Sequence, residues 1–202
     1  MICSLMGKAR VGKSTFAEFL IDEFTLRGKH YYQIAFADEL KRMCMELFKL
    51  EYDQLWGDRK EYTDLRFVKN HFGVSSNPAD YWSAREIMQE VGEFFRKIDY
   101  DFWVKKVDEK IKGCDDWIIT DVRHLNEADY TRDKGFLINI VRKNAEEIHG
   151  MSHESETALD KYEDYDLLIE NDGTLLDLRT AAKDAVDFME KIERMRGESK
   201  NG

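Results

Sequence analysis

The chain alternates between short apolar runs and longer segments in which apolar residues recur every three or four positions. The apolar runs contain little polar alternation, which is typical of parallel strands buried on both faces. They predict five strands, at residues 2–6, 31–36, 117–122, 136–141 and 166–170. Because strands and helices alternate along the chain, the pattern predicts an α/β fold with a parallel, five-stranded sheet.

In the segments between and after these strands, apolar residues recur at helical spacing, which predicts helices. In the third such segment Ser83 is followed three residues later by Glu86, which is the signature of a capping box. The polar end of the chain, 197–202, is predicted to be a flexible tail behind a single domain of residues 1–196. The predicted helices cover 13–27, 38–48, 83–98 and 175–195.

Two regions do not fit this alternation and are predicted to be insertions on the sheet scaffold. Residues 49–82 contain the single proline, Pro78, and residues 142–160 are polar. Such insertions often act as lids or substrate clamps. We expect 49–82, together with 83–112, to form a helical acceptor-binding insertion, and 142–160 to form a lid.

The net charge of −10 argues against broad attraction to nucleic acid or to an anionic membrane surface. The apolar runs are too short to span a bilayer, and the first ten residues lack the basic and apolar regions of a signal peptide. The three cysteines, Cys3, Cys44 and Cys114, are scattered and include no C-x-x-C pair. These features predict reduced, buried thiols and a cytoplasmic protein that binds neither nucleic acid nor membranes.

One short motif indicates a chemistry. The segment from Gly7 to Ser14 matches G-x-x-x-x-G-K-[ST], directly after the first predicted strand and at the start of a helix. Glycines let such a loop curl so that its N–H groups face phosphate oxygens, and the helix dipole adds to this attraction. Lys13 would reach the β- and γ-phosphates, and the Ser14 hydroxyl would bind Mg²⁺. The residues predicted to bind ATP here are Gly7, Lys8, Ala9, Arg10, Val11, Gly12, Lys13, Ser14 and Thr15.

Charged residues at other strand and helix ends narrow the class. Asp121 ends the strand 117–122, where it either holds Mg²⁺ or caps the helix that follows. Arg85, Arg123 and Arg142 lie at a helix start and at two strand ends. Phosphoryl transfer needs fixed cations of this kind, although each of them could also be a solvated surface charge. A guanine-reading N-K-x-D is absent from the sequence, so a small-molecule kinase is the natural class.

Several further segments together resemble a known family. They are "FADELK" (36–41), "REIMQEVGEFFR" (85–96), "DVRHLNEA" (121–128), "HESE" (153–156) and "ENDGTLLDL" (170–178). Their order is similar to that in the deoxynucleoside monophosphate kinases of bacteriophages and their bacterial relatives. The resemblance implies a three-layer phosphate-loop kinase fold. It also implies transfer of the γ-phosphate of ATP, with Mg²⁺, to a (deoxy)nucleoside monophosphate for DNA synthesis, in the host cytoplasm if the gene is a phage gene.

The same resemblance implies roles for individual residues. The acceptor nucleotide would be held by Asp38 and Lys41 and clamped by Arg85 and Gln89. Asp121 and Arg123 would face both substrates, with Glu127 one helical turn further on. Arg142 would be the first residue of the lid. The implied catalytic residues are Lys13, Arg123 and Arg142, and the implied metal ligands are Ser14 and Asp121. The turn with Asn171 and Gly173 would border the adenine of ATP.

Two other functions stay open from the sequence. One is a kinase for a different acceptor, of the phosphomevalonate or gluconate type, in which Asp38 could serve as the base that an alcohol acceptor needs. The other is a nucleotide-binding regulator without phosphotransfer. The oligomeric state is open as well, with a homodimer as one alternative.

Overall fold

The structure is a computed structural model that describes residues 1–69, 76–113, 116–143 and 158–199. The chain divides into two compact units. The sheet unit comprises Met1–Ala35 and Val107–Gly202, and the insert unit comprises Phe36–Lys106. The insert unit contains the predicted insertion 49–82 and most of 83–112, but it begins earlier, at the start of the second helix.

The sheet unit is built on the five parallel strands that the apolar runs predict. These strands are β1 (Ile2–Met6), β2 (Tyr32–Ile34), β5 (Trp117–Val122), β6 (Gly135–Val141) and β7 (Leu167–Glu170). They lie in the order β2-β5-β1-β6-β7, which places β1 at the centre. Each neighbouring pair is parallel, so the fold class predicted from the sequence is confirmed.

Helices cover both faces of this sheet. Helix α1 (Lys13–Leu26) and the C-terminal helix α7 (Leu175–Ser199) share one apolar core with alternate residues of β1 and β6, such as Leu5 and Ile138. Leu137 is fully buried but lies outside that core, because successive strand residues point to opposite faces. Helix α6 (Leu125–Lys134) contacts β1 and β6 and covers the second face.

The C-terminal helix is longer than predicted. The sequence placed its end at residue 195, but α7 continues to Ser199, so the predicted helix end was wrong. The flexible tail at 197–202 stays a prediction. Arginine, methionine and glutamate favour helix, and the helix therefore continues past its last buried apolar residue. Residues 200–202 lie outside the described part of the chain.

The insert unit is not all helical, which corrects the prediction for 49–82. It contains α2 (Ala37–Phe48), α3 (Tyr52–Leu55), α4 (Ala84–Ile98) and the beginning of α5 (Phe102–Ile111). Between α3 and α4, strand β3 (Thr63–Val68) pairs antiparallel with β4 (Tyr81–Ser83).

A buried carboxylate obscured this strand pair in the sequence. Asp64 is only 9 % exposed, so it occupies a position where strand periodicity leads one to expect an apolar residue. Its carboxylate accepts hydrogen bonds from Arg66 Nε at 2.8 Å and Gln54 Nε2 at 3.2 Å. The hydrogen bonds from Arg66 hold the pKa of Asp64 below its usual range. Paired in this way, a buried charge is tolerated.

The predicted start of the third long helix is confirmed. Ser83 is the N-cap of α4, and its hydroxyl accepts a hydrogen bond from the Glu86 backbone N–H at 3.2 Å. The Ser83 N–H donates in return to the Glu86 carboxylate at 2.8 Å. This reciprocal pair satisfies two helix-end groups and fixes where α4 begins.

Two of the three cysteines are described, and both are buried free thiols as predicted. Burial raises the pKa of Cys3 and of Cys44 to about 12, which keeps the thiols protonated. Cys114 lies outside the described residues, as does 144–157, which contains most of the predicted lid and the "HESE" segment. Among the helices that are described, none is long and apolar enough to cross a bilayer.

Candidate active site

The phosphate loop connects the central strand to the first helix. β1 ends at Met6 and α1 begins at Lys13, with Gly12 as its N-cap in a left-handed conformation at φ 100°. Gly7 has φ 133°, and a Cβ atom on it would lie 2.2 Å from the carbonyl oxygen of Ile140. Both motif glycines are therefore required by backbone geometry, and the loop leads into a helix start as the motif predicts.

The lysine of the motif lies against the loop itself. Lys13 Nζ donates to the carbonyl oxygens of Gly7 and Lys8, each at 2.6 Å. Its ammonium is thus held beside the first half of the loop. Ser14, the next residue, is exposed on the first turn of α1.

The other predicted residues of the sheet unit follow the ends of strands beside β1. Met6 pairs with Val122 of β5 and with Asn139 of β6, and Val141 of β6 pairs with Glu170 of β7. Carboxyl ends of adjacent parallel strands meet at one sheet edge, where α/β proteins bind ligands. The structure therefore brings to one edge the phosphate loop, Asp121, Arg123, Arg142 and Asn171.

The two alternatives left open for Asp121 differ in what caps α6. The N-cap is His124, and the Glu127 carboxylate accepts the N–H groups of Arg123 at 2.8 Å and His124 at 3.2 Å. Glu127 itself is only 1 % exposed. Glu127 therefore caps α6 and holds the turn that carries Arg123, while the substrate contact that the resemblance implies for Glu127 stays a prediction.

The turn after β7 contacts the phosphate loop. The Asn171 side chain donates from Nδ2 to the Val11 carbonyl oxygen at 2.9 Å. The neighbouring Asp172 accepts the N–H of Lys143 at 2.8 Å, next to the exposed Arg142. Gly173 is exposed and lies beside the carboxylate of Asp177.

A second acidic residue, missed in the sequence, lies near the loop. Asp160 Oδ1 lies 3.7 Å from Lys8 Nζ, so a carboxylate from the far end of the predicted lid balances a loop lysine. Asp160 and Asp172 lie in polar stretches that contain several carboxylates, any of which could have been the partner of a site residue. No local spacing distinguishes them, because their partners are distant in sequence.

In the insert unit, two residues predicted to bind the acceptor nucleotide, Asp38 and Lys41, contact the indole ring of Trp56, which the sequence analysis did not single out. Trp56 Nε1 lies 3.5 Å from Asp38 Oδ1, and Lys41 Nζ lies 5.4 Å from the centre of the indole ring. Tyr52 stacks on the same ring, with centroids 5.0 Å apart. The signal for Trp56 was a lone tryptophan before a glycine in a charged stretch, "LWGDRK".

The other two residues predicted to bind the acceptor nucleotide both lie on helix α4. Arg85 is in its first turn, and Gln89 follows one turn later and is half-buried. Arg85 Nε donates to a Glu61 carboxylate oxygen, so this guanidinium, 25 % exposed, is balanced within the insert unit. Glu61 was also missed, because 24 residues separate it from its partner.

Comparison with known proteins decides the family. Residues 39–182 match the family model described as deoxynucleotide monophosphate kinase. The chain belongs to this family. This match confirms the resemblance found in the sequence. The matched residues cover nearly all of the insert unit and the sheet-edge residues of β5, β6 and β7.

Two relatives support the assignment. A protein of Acanthamoeba polyphaga mimivirus, provisionally named a deoxynucleotide monophosphate kinase, is 28 % identical over 203 residues, covering 93 % of this chain and 96 % of that protein. The deoxynucleotide monophosphate kinase of Enterobacteria phage T4 is 32 % identical over 124 residues, covering 57 % of this chain and 50 % of that protein. The chain is therefore a phosphotransferase and a nucleotide kinase, and the other acceptor kinases are not favoured.

Solved structures with a similar arrangement have low identity. Shikimate kinase from Aquifex aeolicus is 13 % identical with a TM-score of 0.42, and each chain is fully covered. TT1252 from Thermus thermophilus is 18 % identical with a TM-score of 0.47, covering 94 % of this chain and 97 % of that one.

Proposed function

We propose that this chain transfers the γ-phosphate of ATP to a deoxynucleoside 5′-monophosphate and releases ADP and the deoxynucleoside diphosphate. The observation that carries the proposal is the loop between β1 and α1, with two glycines in positive-φ conformations and Lys13 held beside it. The family supplies the acceptor class. Because the two relatives come from viruses, we place the reaction in the cytoplasm of a host cell.

The sheet unit would bind ATP through residues 7–15. Their backbone N–H groups and the N-terminal dipole of α1 attract the anionic phosphates. Lys13 would exchange its carbonyl partners for oxygens of the β- and γ-phosphates. With Arg123 and Arg142 at the same sheet edge, it would meet the charge that develops as the γ-phosphoryl group moves.

The residues at this edge fit a magnesium ion that arrives with ATP. Mg²⁺ prefers oxygen ligands and usually takes only one or two from the protein, the rest coming from phosphates and water. The exposed Ser14 hydroxyl and the Asp121 carboxylate would supply these, and the described residues contain no cluster of three metal-binding side chains that would suit a fully protein-bound metal. When bound, the ion would neutralise charge on the phosphate oxygens.

The insert unit would hold the acceptor nucleotide. Arg85 would bind the monophosphate through its guanidinium, sharing or exchanging the bond to Glu61, and Gln89 would contact the base. Lys41, which lies over the Trp56 ring, would provide a second positive charge for the monophosphate. Asp38 would accept hydrogen bonds from polar groups of the nucleotide.

The transfer step itself needs no general base. An oxygen of the acceptor phosphate, already anionic near neutral pH, forms the new bond to the γ-phosphorus. The bond from that phosphorus to the bridging oxygen breaks, and ADP leaves with the electron pair. The protein therefore contributes positioning and fixed positive charge.

A panel of acceptors tests this function. The protein is incubated with ATP, Mg²⁺ and each deoxynucleoside or ribonucleoside monophosphate, and both ADP and the new diphosphate are measured. We expect at least one deoxynucleoside monophosphate to raise ADP release well above the ATP-only rate, with one diphosphate formed per ADP and loss of turnover in EDTA. ADP release that no monophosphate stimulates would contradict the proposal and favour a regulator.

Trp56 offers a separate prediction for the acceptor side. Trp56→Ala removes the ring that holds Lys41 and contacts Asp38, so the acceptor KM should rise about 5-fold, as expected for loss of a partly exposed cation–π contact and its packing. The ATP KM should stay unchanged. Steady-state kinetics with either substrate varied checks both values.

A matched control lies in the same unit. Trp82 also has a lysine over its ring, Lys69 Nζ at 5.6 Å, and both tryptophans pack on the same apolar cluster. Because the lysine over Trp82 is Lys69, which is not one of the residues predicted to bind the acceptor, Trp82→Ala should lower stability without moving the acceptor KM. Equal KM changes in the two variants would mean that Trp56 acts only through folding.

A further inference from the structure

The Asn171 side chain is hydrogen-bonded to the backbone of the phosphate loop. Its side-chain Nδ2 donates to the Val11 carbonyl oxygen at 2.9 Å, across 160 residues of sequence. A Cβ atom built on Gly12 would lie 2.4 Å from the same nitrogen. The amide therefore lies directly against the last two residues before α1.

This contact fixes a peptide plane. The Val11 carbonyl and the Gly12 N–H belong to one planar, trans peptide and point in opposite directions. A hydrogen bond that holds the carbonyl towards Asn171 therefore directs the Gly12 N–H away from Asn171. Gly12 has no side chain to restrict its left-handed backbone, so this peptide needs an external partner to select one orientation.

The position of Asn171 is itself well fixed. Its backbone N–H donates to the Val141 carbonyl oxygen at 2.8 Å, which extends the β6–β7 pairing by one residue. Leu178 of α7, 3 % exposed, lies 3.8 Å from the same Cβ position on Gly12. The side-chain amide is thus presented to the loop from a rigid strand end and beside a buried helix residue.

We infer that Asn171 is a positioning residue, which acts on ATP by orienting the Val11–Gly12 peptide for phosphate binding and not by bordering the adenine ring. The inference depends on the proposed binding of ATP phosphates to residues 7–15. It replaces the adenine-side role that the family resemblance implies for this residue. It predicts that loss of the amide weakens every ligand that uses the loop, with or without a base.

The test compares Mg·ATP with inorganic tripolyphosphate, which has the phosphates but no nucleoside. Both are titrated into wild type, Asn171→Ala and Asn171→Asp, the second of which keeps the shape and removes the donor. We expect Asn171→Ala to weaken both ligands by the same factor, about 10-fold, as for a lost hydrogen bond in a pre-organised site. Asn171→Asp should be at least as weak.

The control is Thr174→Ala, in the same turn. Thr174 caps α7 through reciprocal hydrogen bonds with Asp177, so its loss should lower the melting temperature and leave both affinities unchanged. Weakening of Mg·ATP alone, unchanged affinity for both ligands, or failure of both Asn171 variants to fold would overturn the inference. Wild type that binds neither ligand would instead overturn the proposed function, and the inference with it.

Discussion

Lys13→Met should lower kcat by about 100- to 1,000-fold, the range seen when one preorganised charge contact to a transition state is removed. The Lys13 ammonium donates to the carbonyl oxygens of Gly7 and Lys8, and both hydrogen bonds are at least partly exposed to water, which can replace the ammonium as a partner. Its removal should therefore cost little stability. Coupled measurement of ADP release, with a thermal melt of the same sample, checks both expectations.

The neighbouring lysine provides the control. The Lys8 side chain is 63 % exposed and pairs with Asp160 at 3.7 Å, a surface ion pair of the kind that contributes about 0–1 kcal/mol. Lys8→Met removes the same charge from the same loop and should change kcat no more than about 3-fold, since a weak screened contact is lost. A Lys13→Met variant as active as Lys8→Met would mean that Lys13 does not act on the transferred phosphate.

Gly7→Ala should lower the free energy of unfolding by about 4 kcal/mol and abolish ATP binding, because backbone strain and a core clash both add to the cost. The added Cβ would lie 2.2 Å from the Ile140 carbonyl oxygen, a backbone atom of the neighbouring strand β6 that cannot rotate away. Either β1 and β6 separate at their ends or the loop changes its path. Urea denaturation and ATP titration measure the two effects.

Gly28→Ala separates the clash from the backbone conformation. Gly28 also has positive φ, at 75°, but a Cβ there meets nothing within 4 Å. Its substitution should cost only the left-handed backbone penalty, about 1 kcal/mol, and leave ATP binding intact. If Gly7→Ala were no worse than Gly28→Ala, the close approach to Ile140 would not be what requires glycine at position 7.

Local patterns were sufficient for the sheet and the loop. The central strands β1 and β6 are buried on both faces, so they appear in the sequence as apolar runs, and β1 and β5 have the predicted bounds. The phosphate-loop motif is a single stretch of eight residues whose glycines are fixed by their own backbone angles. The strand pair β3–β4 was missed because Asp64 is buried and ion-paired while the apolar Leu65 next to it is 70 % exposed, the reverse of what the residue types indicate.

The residues that contact the predicted site residues were harder to predict from the sequence. The sequence predicted roles for Arg85, Asp38 and Lys41, but it did not single out Glu61 or Trp56, which contact them from other elements. The sequence did not show that Glu127 holds the turn before α6, since a carboxylate one turn after an arginine is ambiguous in sequence. Its 1 % exposure and its two backbone hydrogen bonds became visible only when β5 and α6 were in place.

By itself, the sequence determined the parallel α/β fold and the phosphate-loop motif, because the first depends on periodicity and the second on a contiguous stretch of residues. Only the tertiary structure decided what holds the loop in shape. The Asn171 amide reaches Val11 because β1, β6 and β7 are neighbours in the sheet, an order that chain position does not reveal. A contact across 160 residues has no local signature, since its energy depends on strand order and not on the residues beside it.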